Sequence, residues 1–260
     1  MADDLVLLTI TGGIARLTLN RPEAGNALNP ALAAALRDRA ESLAGRADVR
    51  VVVVGAAGPM FCVGGDLAWM AEQGDAIADP LHALASDFHA AIEALRALDA
   101  PVIAAVGGVA AGGGMSLVCT CDLAVAATSA KLTMAYTAAG LSPDGGGTWF
   151  LPRMVGLRRA TELMLTNRRL TSQEACDLGI VTSVVADAAL ADEVDALAAR
   201  LAAGPTDSYG ATKRLLERSA AASLSDQLAV EADSIAGLGA GANGREGIAA
   251  FLAKRPPSFS

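Results

Sequence analysis

Residues 101–118 read PVIAAVGGVAAGGGMSLV, and this stretch decides the fold. Val102–Val106 is a short apolar run that follows a proline, which predicts a buried strand. The glycine-rich residues Gly107–Gly114 predict a loop after that strand. A short helix that begins within the loop is expected to carry Met115–Val118. The stretch therefore forms one strand–loop–helix unit.

The same kind of unit occurs elsewhere in the chain. Four consecutive valines, Val51–Val54, predict a strand buried on both faces, and Phe61–Leu67 is a second glycine-containing loop. Apolar residues then recur at helical spacing over Leu81–Leu98, and Leu123–Ala126 predicts a further strand. Repetition of this unit indicates an α/β fold with parallel strands.

The two ends of the chain depart from this pattern. Leu5–Ile10 and Ile14–Leu19 predict a β-hairpin because they are apolar runs joined by Thr-Gly-Gly. Beyond about residue 149 the pattern is helical apart from one strand, expected at Ile180–Val185. We therefore expect an α/β core over residues 1–190 and a helical region over residues 191–260. This region is expected to pack on the core or on a neighbouring subunit.

Composition excludes several classes of protein. The 260 residues are 53% hydrophobic but only 3% aromatic, so the core must be mainly aliphatic. A net charge of −8 argues against a nucleic-acid binder, which needs a basic surface. No apolar run is long enough to predict a membrane span, and the acidic start, Met1–Asp4, is unlike a secretory signal. The sequence therefore predicts a cytoplasmic protein. Its four cysteines and two histidines lack metal-site spacing, so no metal is expected.

Three glycine-rich loops are candidates for chemistry: Phe61–Leu67, Gly107–Gly114 and Ser142–Thr148. Glycine allows backbone N–H groups to approach a ligand closely, and two such loops side by side could hold one oxygen as an oxyanion hole. Asp144, in the third loop, could act as a base in an apolar cleft. The alternatives are glycines that serve only tight turns and an Asp144 that serves a turn or caps a helix.

Six segments in order resemble those of the crotonase (enoyl-CoA hydratase/isomerase) superfamily over nearly the whole chain. They are residues 19–28 (LNRPEAGNAL), Phe61–Leu67, Gly107–Gly114, Cys121–Leu123, residues 171–181 and Phe251–Pro256. The resemblance implies a crotonase (ClpP-like) fold, in which ββα units repeat in a spiral and a helical C-terminal region makes the trimer contacts.

The resemblance also implies roles for individual residues. The backbone N–H groups of Gly65 and Gly113 would hold the thioester oxygen of an acyl-CoA. Coenzyme A would contact Gly25, Ala27, Val63, Asp66 and Leu67. Lys254 would reach the phosphates of coenzyme A, unless it is an ordinary surface lysine. No separate cofactor is implied, because coenzyme A is part of the substrate.

Departures from the family pattern bear on the reaction. The two glutamates of the family's hydratases would fall at Ser116 and Tyr136, and neither is acidic. Asp144 instead matches an acid of two other branches, the enoyl-CoA isomerases, including epoxyphenylacetyl-CoA isomerases, and 4-chlorobenzoyl-CoA dehalogenase. His89 matches a helix histidine of the dehalogenase and of some isomerases, although it also fits a polar helix face. Tyr136 is expected to line the acyl pocket.

Four functional hypotheses follow from the resemblance. The first is an enoyl-CoA isomerase in which Asp144 moves a proton between two carbons while Gly65 and Gly113 hold the enolate oxygen. The alternatives are an enoyl-CoA hydratase, a dehalogenase-like enzyme, and a non-catalytic acyl-CoA-binding or scaffold protein. The family relationship also implies a homotrimer or a hexamer, and the expected partner is an acyl-CoA thioester.

Overall fold

The computed structural model describes residues 5–260 of the chain. Its nine strands are β1 (Val6–Thr11), β2 (Ile14–Leu19), β3 (Val51–Ala56), β4 (Val102–Val106), β5 (Val109–Ala111), β6 (Leu123–Ala127), β7 (Lys131–Thr133), β8 (Leu170–Thr171) and β9 (Ser183–Val185). Its eleven α-helices are α1 (Pro30–Glu41), α2 (Leu67–Glu72), α3 (Ala78–Ala97), α4 (Gly113–Thr120), α5 (Gly147–Val155), α6 (Leu157–Thr166), α7 (Ser172–Asp177), α8 (Leu190–Ala202), α9 (Thr206–Ser219), α10 (Leu224–Ala240) and α11 (Ala242–Leu252). Within residues 5–260, none of these helices combines the length and the apolar character needed to cross a bilayer.

The main sheet has six strands in the order β1-β2-β3-β4-β6-β9. The first pair is antiparallel, as the hairpin predicts, and each following pair is parallel. The hairpin turn uses positive φ at Gly12 and Gly13, 59° and 81°, which most other residues avoid. The predicted α/β class with parallel pairing is therefore confirmed.

Both faces of this sheet are covered. Helices α1 and α3 pack against each other, and α1 also contacts β1 and β2. On α3 the predicted apolar face is buried and consists of Leu84, Phe88, Ile92 and Leu95. Helix α8 covers the other face, where Val194 and Ala198 pack with Val51, Val53 and Ile103. The first helix of the C-terminal region thus lies directly on the sheet, while the division of the chain at residue 190 stays a prediction.

A second, small sheet was not predicted from the sequence. It has three strands in the order β5-β7-β8, and none is longer than three residues. Strand β5 lies inside the second glycine-rich loop, where it pairs in parallel with β7. Such short strands carry too few residues for an alternating pattern to be visible.

Strand β9 is shorter than predicted, because the sequence placed its start at Ile180. In the structure the N–H groups of Ile180 and Val181 donate to the carbonyl of Ala175, at 2.8 and 3.3 Å, and so close the end of α7. The strand begins only at Ser183. An apolar pair next to a helix end can thus satisfy its backbone within that turn instead of within a sheet.

Candidate active site

The first two glycine-rich loops lie side by side. The Ala111 N–H donates to the Cys62 carbonyl at 2.9 Å, and the Cys62 N–H donates to the Val109 carbonyl at 3.1 Å. The approach requires glycine, because a Cβ at Gly114 would overlap the Cys62 carbonyl oxygen. Gly64 has a φ of 97°, and a Cβ there would lie 3.0 Å from the Ala111 carbonyl oxygen. Glycine at these positions is therefore required for the two loops to pack closely, whether or not a ligand binds there.

Gly65 and Gly113 line the same cavity, which has a volume of about 380 Å³. Neither amide N–H has a hydrogen-bond acceptor within residues 5–260. Gly113 is free because it is the first residue of α4, where helical N–H groups have no partner inside the helix. Leu28 pairs with the groups on either side of Gly65, accepting from Asp66 N–H and donating to the Gly64 carbonyl. Two unused donors in one cavity wall are suited to hold an anionic oxygen.

Asp144 lies in the wall of this cavity and is half-buried. The phenol of Tyr136 donates to Asp144 Oδ1 at 2.6 Å. Ser116 Oγ lies 2.9 Å from Tyr136 Oη and 3.0 Å from the Asp144 carbonyl oxygen, so its one proton can serve either acceptor. Asp144 does not cap the following helix, because α5 begins at Gly147 with Gly146 at the cap. The third loop thus brings its acid into the cavity.

The Tyr136 phenol is held in its protonated form. Burial raises the pKa of Tyr136 well above its usual value, and the negative charge of Asp144 and the hydrogen bond to it raise the pKa further. Ionisation would remove the proton that Tyr136 donates and would place two negative oxygens together. At neutral pH Tyr136 is therefore a hydrogen-bond donor to the carboxylate.

His89 lies beside the cavity rather than in it. It is exposed on α3, and its Nε2 accepts a hydrogen bond from the Gly145 N–H at 3.1 Å. Gly145 has a φ of 58°, and a Cβ there would overlap the Phe88 ring. Helix α3 thus fixes the residue next to Asp144, whereas a substrate contact by His89 stays a prediction. His82, the other histidine of α3, was not singled out from the sequence, yet it lines the cavity.

The predicted coenzyme A contacts fall into two groups. Val63 and Leu67 line the cavity and are 38% and 58% exposed, so a ligand can reach them. Gly25 lies behind Val63: its carbonyl accepts the Val63 N–H at 3.1 Å, and a Cβ at Gly25 would lie 3.0 Å from Val63 Cγ1. Ala27 is buried and accepts from Arg21 Nη1 at 3.0 Å. Gly25 and Ala27 support the first loop, and direct contact with coenzyme A stays a prediction.

Asp66 and Lys254 do not line the cavity. Asp66 Oδ1 accepts the Trp69 N–H at 3.1 Å as the cap of α2, and its Oδ2 pairs with Arg21 Nη1 at 2.6 Å. Lys254 is exposed just beyond α11, with a φ of 52°. The roles predicted for both in binding coenzyme A stay predictions.

Hydrogen bonds from the segment at residues 19–28 hold the first glycine-rich loop in place. Buried Asn26 accepts the Arg21 N–H at 2.8 Å and donates to the carbonyls of Ala57 and Met60 at 3.0 and 2.9 Å. Arg21 then holds Asp66 through the ion pair described above. Sequence reasoning noted the segment but did not assign this role, because the contacts join residues far apart in the chain.

Most of the remaining cavity wall is apolar and was not predicted. It is formed by Leu28, Met70, Ala78, Leu81, Leu84, Ala85, Ala135, Ala139 and Leu141. Apart from Asp144, no Asp, Glu, Lys or Arg of residues 5–260 lines the cavity. The same part of the chain contains no group of three or more His, Cys, Asp or Glu side chains placed to hold a metal ion. The wall is suited to an apolar acyl group beside one carboxylate.

Comparison with known proteins identifies the family. Residues 9–260 match the family model described as "Enoyl-CoA hydratase/isomerase". The chain is 39% identical to a Rhodobacter capsulatus protein named "Probable enoyl-CoA hydratase", over 96% of each chain. It is 38% identical to the 1,2-epoxyphenylacetyl-CoA isomerase of Escherichia coli, over 99% of this chain and 98% of the relative. The crystal structure of an enoyl-CoA hydratase from Polaromonas sp. JS666 superposes with a TM-score of 0.94 at 36% identity, over 98% of this chain and 99% of that one. The fold is thus the crotonase fold expected from the sequence, and the chain belongs to the enoyl-CoA hydratase/isomerase, or crotonase, family.

Proposed function

We propose that this protein is an enoyl-CoA isomerase that shifts a double bond by moving one proton between two carbons of an acyl-CoA thioester. One observation carries the proposal. Within residues 5–260, the cavity holds a single carboxylate, Asp144, together with the acceptor-free amides of Gly65 and Gly113. A 1,3-proton shift needs one acid–base group and a site for the negative charge of the intermediate, and the cavity supplies both.

In the proposed reaction, the thioester oxygen accepts hydrogen bonds from the Gly65 and Gly113 amides. Asp144 removes a proton from the carbon next to the thioester of a 3-enoyl-CoA, and the electrons delocalise onto that oxygen as a dienolate. The same carboxyl then returns the proton to the carbon two positions further along, which leaves a 2-enoyl-CoA. One residue suffices because both carbons lie on the same face of the flat intermediate.

Hydration of an enoyl-CoA is the second candidate, favoured by the names of several relatives. The hydratases of this family use two glutamates, and those positions hold Ser116 and Tyr136 here. Both hydroxyl groups are already engaged with each other and with Asp144. Among the described residues, the cavity also has no second carboxylate that could activate water. Both observations support isomerisation over hydration.

Activity assays with Asp144→Asn test the proposal. The wild-type protein is expected to isomerise a 3-enoyl-CoA faster than it hydrates crotonyl-CoA, and Asp144→Asn should lower isomerisation by roughly 10²–10⁴-fold because the acid–base group is lost. Asp48→Asn, which changes an exposed carboxylate paired with Arg46, is the matched control. Faster hydration that survives in Asp144→Asn would establish the hydratase. Halide release from 4-chlorobenzoyl-CoA would establish the dehalogenase, and binding without turnover the non-catalytic alternative.

We also propose that coenzyme A lies against Val63 and Leu67 at the open side of the cavity, and that the protein forms a homotrimer or a hexamer. Exposed apolar side chains support an oligomer, since isolated subunits rarely leave such residues uncovered in groups. On α10 and α11 they are Leu224, Leu228, Ile235, Ile248, Phe251 and Leu252. Calorimetric titration with coenzyme A measures its binding, and light scattering measures the oligomeric state. A monomer in light scattering would contradict the proposed homotrimer or hexamer.

A further inference from the structure

We propose that Tyr136 is a positioning residue that binds Asp144 Oδ1 and leaves Oδ2 as the oxygen that transfers the proton. The inference rests on the proposed function, because it names how the single acid–base group is oriented. Within residues 5–260, the phenol of Tyr136 is the one hydrogen-bond donor to the Asp144 carboxylate. At 2.6 Å it has the length of a charge-assisted O–H···O⁻ bond, the strong kind of hydrogen bond.

Tyr136 is itself fixed by the backbone on both sides. Its N–H donates to the Met134 carbonyl at 2.7 Å, and its carbonyl accepts the Leu141 N–H at 3.1 Å. Ser116 Oγ packs against its phenol oxygen at 2.9 Å. The backbone of Tyr136 is thus fixed and its hydroxyl contacts Ser116, so the phenol can restrict the rotation of the carboxylate that it binds.

Helix α4 links this hydroxyl group to the amide donor on the other side of the cavity. Gly113 and Ser116 are three residues apart on α4 and therefore lie on the same side of the helix. Gly113 contributes its N–H to the cavity, and Ser116 contacts both Tyr136 and the backbone of Asp144. One rigid element thus sets the separation between the bound oxygen and the base.

The surroundings of Asp144 make its hydrogen bond to Tyr136 important. Among residues 5–260, the other titratable side chain of the cavity wall is His82 on α3, and His89, also on α3, accepts from the Gly145 N–H. No lysine or arginine of the described residues lines the cavity to pair with the carboxylate. The Tyr136 hydroxyl is therefore the local group that holds the Asp144 carboxylate in one orientation.

The hydrogen bond at Oδ1 also limits how the carboxyl group can turn. A proton that Oδ2 takes from the first carbon must stay on the carboxyl until it reaches the second carbon. If the carboxyl rotated freely, Oδ2 could turn away from the substrate and lose that proton to solvent. With Tyr136 bound at Oδ1, we expect much of the transferred proton to remain within the substrate.

The test compares Tyr136→Phe with Tyr209→Phe, because the chain has only these two tyrosines. Tyr136→Phe should lower kcat by roughly 10- to 100-fold, which corresponds to loss of one charge-assisted hydrogen bond, with KM nearly unchanged. In deuterated water the product should gain more deuterium. Tyr209→Phe should behave as wild type in all three measurements.

A second measurement needs no activity. In Tyr209→Phe the single remaining phenol is Tyr136, so phenolate absorbance reports its ionisation alone. The phenol should ionise at a pH above the ordinary range of tyrosine, and adding Asp144→Asn should bring that ionisation to lower pH. The sign follows from the raised pKa of Tyr136, part of which comes from the Asp144 charge. Ser116→Ala should give a smaller loss of kcat in the same direction as Tyr136→Phe.

The outcomes separate this inference from the proposed function. If Asp144→Asn abolishes isomerisation while Tyr136→Phe keeps the wild-type kcat and deuterium incorporation, the positioning role is wrong and the proposed function stands. Ionisation of Tyr136 in the ordinary range of a phenol overturns the positioning role even if Tyr136→Phe does not fold. Full isomerisation by Asp144→Asn overturns both.

Discussion

Two walls of the cavity are built in different ways. The first, formed by the loops that contain Gly65 and Gly113, offers backbone N–H groups and is held together by backbone pairing between Cys62 and Ala110. The second offers the side chain of Asp144, which accepts a hydrogen bond from the Tyr136 hydroxyl, while the Ser116 hydroxyl contacts the Asp144 backbone carbonyl. The backbone wall depends on glycine because the chains approach closely, whereas the side-chain wall depends on hydrogen bonds.

This difference indicates how each wall should respond to mutation. The backbone donors cannot be deleted by changing a side chain, so the first wall is disturbed mainly by adding atoms that separate the loops. The second wall is disturbed by removing single polar groups, which leaves the backbone in place. Changes in the first wall should therefore reduce stability and activity together, and changes in the second should alter activity with less effect on stability.

The largest effect on stability is expected for Gly114→Ala. Its Cβ would overlap the Cys62 carbonyl, a backbone atom that cannot move without separating the loops. Overpacking of this kind costs about 1–3 kcal/mol, and a displacement of about 1 Å in the amide donors can lower the rate about 10²-fold. Thermal melting and the isomerisation assay measure the two effects.

Gly65→Ala is the matched comparison for stability, because the Cβ added there meets only the end of the flexible Met70 side chain, at 2.5 Å. Its melting temperature should stay close to that of wild type. Cys62 gives a further check, since burial raises the pKa of its thiol to about 12 and it should resist labelling. Labelling should be faster in Gly114→Ala. Equal stability and activity in Gly114→Ala and wild type would contradict the close approach of the loops.

A smaller effect is expected for Asp66→Asn, which keeps the cap of α2 but removes the ion pair with Arg21. We expect a loss of about 1–2 kcal/mol in stability at neutral pH. Burial alone would raise the pKa of Asp66, but hydrogen bonds from Trp69 N–H and Arg21, and the Arg21 charge, outweigh burial and lower it. The ion pair therefore stabilises the folded protein at pH values above 3.8, the ordinary pKa of aspartate in an unfolded chain. This stabilisation is lost as the pH falls from 3.8 through the lower pKa that Asp66 has in the folded protein.

The measurement compares melting temperatures of wild type and Asp66→Asn at neutral pH and near pH 3. The difference should be largest at neutral pH and should shrink in acid. Asp48→Asn is the control, because its pair with Arg46 is exposed and should contribute no measurable stability. A difference that persists in acid would show that the ion pair is not what Asp66 contributes.

The smallest effect is expected for His89→Ala, which removes the acceptor of the Gly145 N–H. This partly buried hydrogen bond should be worth about 0.5–1 kcal/mol, and its loss should lower kcat a few-fold through movement of the Asp144 loop. KM should stay unchanged if His89 only holds the loop. A marked rise in KM would instead support the substrate contact predicted from the sequence. His82→Ala, which changes the other histidine, should act mainly on KM because His82 lines the cavity.

Much of the first wall could be predicted from the sequence. Buried strands such as Val51–Val54 and Val102–Val106 are visible as apolar runs, and the glycine clusters that follow them mark close backbone approach. Residues Gly65 and Gly113 were assigned through the family resemblance, and the structure brings them to one cavity with Asp144.

The second wall could be predicted only in part. Asp144 was a candidate because of its glycine-rich surroundings, but its contact with Tyr136 forms within the segment between β7 and α5, which no periodic pattern describes. The short strands β5, β7 and β8 were missed for the same reason, since two or three residues give no periodicity. His82 was missed because an exposed polar residue on a helix looks the same whether it faces water or a cavity mouth.

Helix α8 also has a consequence for how the protein is made. It covers the sheet face that contains Val51, Val53 and Ile103, yet it is synthesised long after those strands. A nascent chain that has not yet extended past residue 202 must leave this valine-rich surface exposed to water or to a chaperone. Completion of the fold on the ribosome is therefore delayed until most of the polypeptide has emerged, although the three glycine-rich loops are translated earlier.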